Sequence, residues 1–143
     1  MSKIFLQDSF KEFCKINKLE VNERQVKIIN SLEKFLDNRK TILSRFLKKK
    51  EKLCFYLYGA VGVGKTMLLN FAFERLKIRK HRQHFNEFMI NFHNFRHEKK
   101  DNNTIAAFAK ELKKKYDLIY LDEFQVTNIV DAMILGKLFE VIF

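Results

Sequence analysis

Gly59-Ala60-Val61-Gly62-Val63-Gly64-Lys65-Thr66 is the stretch that decides how this 143-residue chain is read. It fits G-x-x-x-x-G-K-[ST], a loop whose backbone N–H groups cradle phosphates while its Lys and Ser/Thr reach phosphate and metal. Three of the four glycines in the chain sit in these eight residues. Glycine belongs where φ must be positive or a ligand must approach the backbone closely. Before the loop, Leu53-Cys54-Phe55-Tyr56-Leu57-Tyr58 is a short apolar, aromatic run, the pattern of a buried parallel strand. After it, Met67-Leu68-Leu69-Asn70-Phe71-Ala72-Phe73-Glu74-Arg75-Leu76 holds no Gly or Pro and reads as a helix. A strand feeding a glycine turn that opens a helix aims several N–H groups at one anion.

A second chemical signal lies downstream. Leu118-Ile119-Tyr120-Leu121-Asp122-Glu123 reads as a short apolar strand delivering two carboxylates at its C-terminal end. Open α/β sheets bind ligands at the carboxyl ends of their strands, so acids are useful there. In that setting Asp122 would hold the Mg²⁺ that also touches Thr66 Oγ1, and Lys65 would meet the phosphates of ATP. Glu123 would orient or deprotonate the attacking water. The catalytic candidates are therefore Glu123 and Lys65, the nucleotide-binding candidates residues 59–66, and the metal candidates Thr66 and Asp122.

The remaining chain is mostly helical in pattern. Residues 4–18 read as a helix, with Ser9 and Glu12 as a capping box and Phe10, Phe13 and Cys14 on its apolar face. Asn22 as N-cap with Gln25 at N3, and Val21 and Val26 as a staple, starts a second helix that runs to about Lys40. Its stripe is Val26, Ile29, Leu32, Phe35 and Leu36. Residues 41–52 read as either a further helix or a linker. Alternation over His84-Phe85-Asn86-Glu87-Phe88-Met89 suggests a strand turning helical towards Phe95. Residues 97–103 are a polar loop, and 105–112 an amphipathic helix capped by Asn103 or Thr104. Asn128, with Asp131 at N3, caps a last helix through Ile134, Leu135, Leu138 and Phe139. This divides the chain into a helical segment, 1–52, and a phosphate-loop core, 53–143.

Composition bounds the answer. Hydrophobic residues at 47%, with 16 Phe, exclude a disordered chain, and the lack of Pro favours long helices. Cys14 and Cys54 lack C-x-x-C or zinc spacing, and no stretch approaches the roughly 18 apolar residues of a membrane span. Asp8 and Glu12 near the start argue against a signal or transit peptide. A cytoplasmic protein is expected. The net charge of +11 suits polyanionic partners. Its clusters (Lys48-Lys49-Lys50, Arg79-Lys80-His81-Arg82, Lys99-Lys100, Lys113-Lys114-Lys115) lie near ends of expected elements, where solvated lysines normally sit. A basic nucleic-acid-binding module with an inert loop is the competing function, and an inactive gene fragment a third.

Three blocks carry a family resemblance: Leu57-Tyr58-Gly59 through Leu69, His84-Phe85-x-x-Phe88-Met89-x-x-x-His93, and Leu121-Asp122-Glu123-Phe124-Gln125-Val126-Thr127 with Asp131-Ala132-Met133. They resemble the ZapE family of AAA+ ATPases, the ATPase-family-gene-one group, weakly from about Leu19 and strongly from Leu53 onward. The resemblance implies a P-loop NTPase fold: an α/β parallel sheet flanked by helices behind a helical N-terminal segment. It also implies ATP hydrolysis with Mg²⁺, and a protein partner or homo-oligomer. Asn86 and Asn128 depart from the residues usual in the family, His and Asp. His84 and His93 match it, though a His beside a core strand is more often a hydrogen-bonded packing residue. Family members continue past the position of Phe143 with a sensor strand and hydrolysis-completing arginines. The sheet is therefore expected to be incomplete at the C-terminus, and the isolated chain to be poorly soluble, to bind ATP weakly and to show no turnover.

If the lysine clusters only solvate surfaces, duplex DNA should bind at physiological salt no more tightly than the roughly 10⁻⁴–10⁻⁶ M of non-specific binders. A gel shift checks this; submicromolar binding would favour the nucleic-acid module.

Overall fold

Helices form wherever the sequence presents apolar residues three and four apart. A computed structural model describes residues 6–38, 54–59, 64–99 and 102–142, which fall into two compact units, Met1–Arg75 and Leu76–Phe143. Residues 39–53 lie outside the described part, and with them the alternatives for 41–52 and the cluster Lys48-Lys49-Lys50.

In the first unit, α1 (Leu6–Ile16) and α2 (Glu23–Asn38) pack on each other, and α3 (Lys65–Glu74) packs on α2. Asn22 caps α2 as its sequence requires: its Oδ1 accepts the Arg24 N–H at 2.9 Å. The α2 stripe is buried at Ile29, Leu32, Phe35 and Leu36. The capping box expected at Ser9 is not formed, because Ser9 already lies inside α1. The N–H groups of Leu6 and Gln7 donate instead to Glu33 Oε2 of α2, at 3.1 and 3.2 Å. A distant carboxylate supplies the cap, which no local pattern could announce. Phe71 of α3 closes this core, its ring centroid 5.3 Å from Phe10 and 5.2 Å from Phe13.

The strand expected over 53–58 is corrected. Residues 54–59 keep a strand's alternation, Phe55 and Leu57 half-buried, Cys54, Tyr56 and Tyr58 exposed. They carry no ladder: among the described residues the sheet has two strands, and both lie in the other unit. A parallel strand draws its hydrogen bonds from neighbours, so an apolar run without them remains a strand in pattern only. Cys54 is accordingly exposed rather than core.

The second unit runs β1 (Lys80–His84), α4 (Phe85–Glu98), α5 (Thr104–Lys115), β2 (Leu118–Asp122) and α6 (Ile129–Ile142). The strands are parallel, with Arg82 opposite Tyr120 and His84 opposite Asp122. Here too the reading shifts. The strand is the basic run 80–84, and the helix starts at Phe85, because Phe85, Phe88, Met89 and Phe92 are all needed on one buried helical face. Asn128 caps α6, its Oδ1 accepting the Val130 N–H at 2.8 Å. Of the two candidate caps for α5, Asn103 takes the position, without a side-chain hydrogen bond.

Phe108 is the centre of this core. Its ring lies 5.6, 5.2 and 5.3 Å from those of Phe88, Phe92 and Phe95. Around it pack Met89, Ala109, Ile134, Leu135 and Leu138. Helices α4, α5 and α6 thus share one aromatic cluster, and β2 joins it through Leu121. Removing that ring leaves a cavity rigid neighbours cannot fill. Phe108→Ala is expected to cost about 3–5 kcal/mol, read as a lower urea midpoint with the circular-dichroism signal of the helices as probe.

Candidate functional site

The phosphate motif is described at its two ends; Ala60, Val61, Gly62 and Val63 lie outside the described residues. At the far end Gly64 takes φ +79°, ψ +22° immediately before α3. That left-handed geometry favours a residue without Cβ. A Cβ there would also meet Gln25 Nε2 of α2 at 3.0 Å. The Gly64 carbonyl accepts the Leu68 N–H at 3.0 Å and starts the helix. Lys65, half-buried, folds back so that its Nζ donates to the carbonyl of Gly59, the first residue of the motif. Thr66 is exposed one residue further into the first turn. Gly59, Gly64, Lys65 and Thr66 thus come together at the positive end of a ten-residue helix, where an anion is favoured. At its described end the motif sets an ammonium and a left-handed glycine with no room for a Cβ beside a helix N-terminus, a donor set that suits an anion.

The two carboxylates belong to the second unit. Successive strand residues point to opposite faces, so Arg82 and His84 of β1 share a face with Tyr120 and Asp122 of β2. The Asp122 side chain is only 12% exposed. Its Oδ2 accepts Arg82 Nη2 at 2.6 Å, and its Oδ1 accepts the Glu123 N–H at 3.0 Å, with the Tyr120 hydroxyl at 3.5 Å. Partial burial by itself would raise the Asp122 pKa. The Arg82 and Glu123 hydrogen bonds, with the charges of Arg82 and His84, outweigh it and hold the carboxyl below its ordinary value. Burial, then the Asp122 charge, pushes the Tyr120 phenol up to about 12, so it stays a neutral donor. A carboxylate is a hard oxygen donor of the kind Mg²⁺ accepts, and here one of its oxygens is already engaged by Arg82.

Glu123 follows the strand with φ +51°, unusual for a residue with a side chain, and its carboxylate is 78% exposed. His84 Nδ1 stands 3.8 Å from Glu123 Oε2. His93 Nε2 lies 3.3 Å from Asp131 Oδ1 and links α4 to α6.

Sequence reasoning missed two residues by treating 79–82 as a solvated cluster. Arg79 grips both oxygens of Asp117, Nε to Oδ2 at 3.1 Å and Nη2 to Oδ1 at 2.7 Å, and its Nη1 reaches the Lys114 carbonyl at 2.9 Å. Arg82 holds Asp122. Alternation of Lys80, Arg82 and His84 was the available signal, but its meaning depends on which strand lies alongside. Lys113, Lys114 and Lys115 do sit exposed in the last turn of α5, as lysines there should.

The chain matches the model of the AFG1-like ATPase family over residues 3–143 and belongs to that family. It is 40% identical over 102 residues to lactation elevated protein 1 homolog B of Danio rerio, covering 62% of this chain and 20% of that one. It is 36% identical over 90 residues to the cell division protein ZapE of Escherichia coli, covering 62% of this chain and 24% of that one. The matched part therefore spans about a fifth to a quarter of these relatives' lengths. No solved structure matches the chain. Among the described residues no helix is long and apolar enough to cross a membrane.

Gly64→Ala is expected to cost about 1–2 kcal/mol from the left-handed backbone alone, plus the Gln25 contact. Adding Gln25→Ala should recover only the second part. Chemical denaturation of the two single variants and the double variant separates them.

Proposed function

We propose that this chain is the nucleotide-binding part of an AAA+-type ATPase. Residues 59–66 bind ATP, and Mg²⁺ is held by Thr66 and Asp122. In this reading the chain is a P-loop NTPase: the segment 53–143 forms the ATPase core, and the helices of 1–52 precede it. The observation that carries the proposal is the junction at Gly64 and Lys65. There a left-handed glycine, a helix N-terminus and a folded-back lysine converge within one motif.

Each residue has a distinct task. Lys65 exchanges the Gly59 carbonyl for the β/γ-phosphate oxygens, a stronger, charge-assisted acceptor. Thr66, in the first turn of α3, would supply a hydroxyl to the metal, and Asp122 would supply a carboxylate. Glu123, exposed just past the end of β2, orients the attacking water. Bound Mg²⁺ would neutralise charge developing on the transferred phosphoryl group.

The family supports ATP as ligand. The relative named for cell division extends the proposal to a role of that kind, in which hydrolysis by the full-length family form remodels a protein partner or acts within a homo-oligomer. The unpaired thiols of Cys14 and Cys54 suit a cytoplasmic setting.

Titration with a fluorescent ATP analogue tests the roles. Lys65→Ala should abolish binding, whereas Glu123→Gln should leave it within about twofold, because a water-orienting carboxylate matters little to ground-state affinity. Equal loss in both variants would overturn the assignment.

A further inference from the structure

Asp122 is already in partnership before any metal is considered. Its Oδ2 is 2.6 Å from Arg82 Nη2, and its Oδ1 takes the Glu123 N–H and faces the Tyr120 hydroxyl. The Arg82 guanidinium also lies over the Tyr120 ring, 5.2 Å from its centroid. Parallel register puts these groups on one face of the sheet, so the pairing is built into the ladder.

We propose that Arg82 is a counter-cation built into β1 that holds the Asp122 carboxylate in place and that an incoming divalent cation must displace from Oδ2. This rests on the metal role proposed above for Asp122. A fixed guanidinium lowers the negative potential at both carboxylate oxygens and repels a second cation approaching within a few ångströms. Mg²⁺ needs oxygens in near-ideal octahedral directions and sheds water reluctantly, so an oxygen engaged by a guanidinium is a poor ligand until released. Arg82 therefore keeps Asp122 correctly aimed while reducing its affinity for free metal. The site then favours metal that arrives with further ligands of its own, as a nucleotide-bound cation does. Arg82 is a positioning residue, and its removal should tighten cation binding. A purely structural partner would have the opposite effect, since its loss loosens the strand end.

Terbium(III), a hard oxygen-seeking cation whose emission is sensitised by nearby tyrosine, is the probe, titrated into the full chain and then displaced with Mg²⁺. Tyr120 is the sensitiser beside Asp122, so Tyr120→Phe should dim the emission from this site. Asp122→Asn should remove it. Arg82→Gln should bind terbium roughly tenfold more tightly, and Arg82→Lys, which keeps the charge but loses the planar fork, severalfold more tightly. Unchanged or weaker binding in Arg82→Gln, with emission lost in Asp122→Asn, overturns the counter-cation role and leaves the metal role of Asp122 standing. Emission persisting in Asp122→Asn overturns both. Should circular dichroism show Arg82→Gln unfolded, Arg82→Lys decides, and no gain in its affinity overturns the proposal.

Discussion

The parallel pairing of β1 with β2 is the constraint on which the second unit depends. Two five-residue strands cannot hold a register by ladder bonds alone. Here both ends are pinned by ion pairs. At the N-terminal end Arg79 clasps Asp117 with its guanidinium and its own N–H, while the Asp117 N–H returns a bond to the Arg79 carbonyl at 2.7 Å. At the C-terminal end Arg82 reaches Asp122. Arg79 is largely exposed, so its contribution is more to register than to stability. A slip of one residue would turn Asp122 to the opposite face, away from Arg82, and send Leu121 out of the core.

The aromatic cluster acts on the same sheet from its other side. Leu121 packs against the residues around Phe108, and Phe85, the first residue of α4, meets Phe124 just beyond β2, their rings 4.7 Å apart. The apolar face of the sheet is fixed by packing, the polar face by ion pairs. Asp122 and Glu123 stand at the strand end where both constraints act, which is why two adjacent acids have such different surroundings. Asp122 stays inside the ladder with its charge matched, whereas Glu123 steps out through a positive φ into solvent.

In the first unit the phosphate motif is organised from the helical side. The amide of Gln25 of α2 stands where a Gly64 side chain would begin, and α3 is anchored by Phe71 against α1. The apolar run that leads into the motif has the alternation of a strand but no neighbour to pair with among the described residues. Tyr56 and Tyr58 are exposed and stack on each other, their ring centroids 6.1 Å apart.

Local chemistry was legible in the sequence wherever it depends on neighbours within a turn or two. Asn22 and Asn128 cap their helices, the α2 stripe is buried, and a left-handed glycine precedes Lys65, because caps, amphipathic faces and positive φ are decided within a few residues. Tertiary structure alone decided three things. Glu33 caps α1 from another helix, the ladder of β1 falls on a basic run rather than on the aromatic one after it, and Arg82 becomes the partner of Asp122. Each joins residues far apart in the chain through a register or a packing face, which no local pattern encodes. The same reason explains residues 54–59: a strand's pattern belongs to the sequence, but its hydrogen bonds belong to whatever lies beside it.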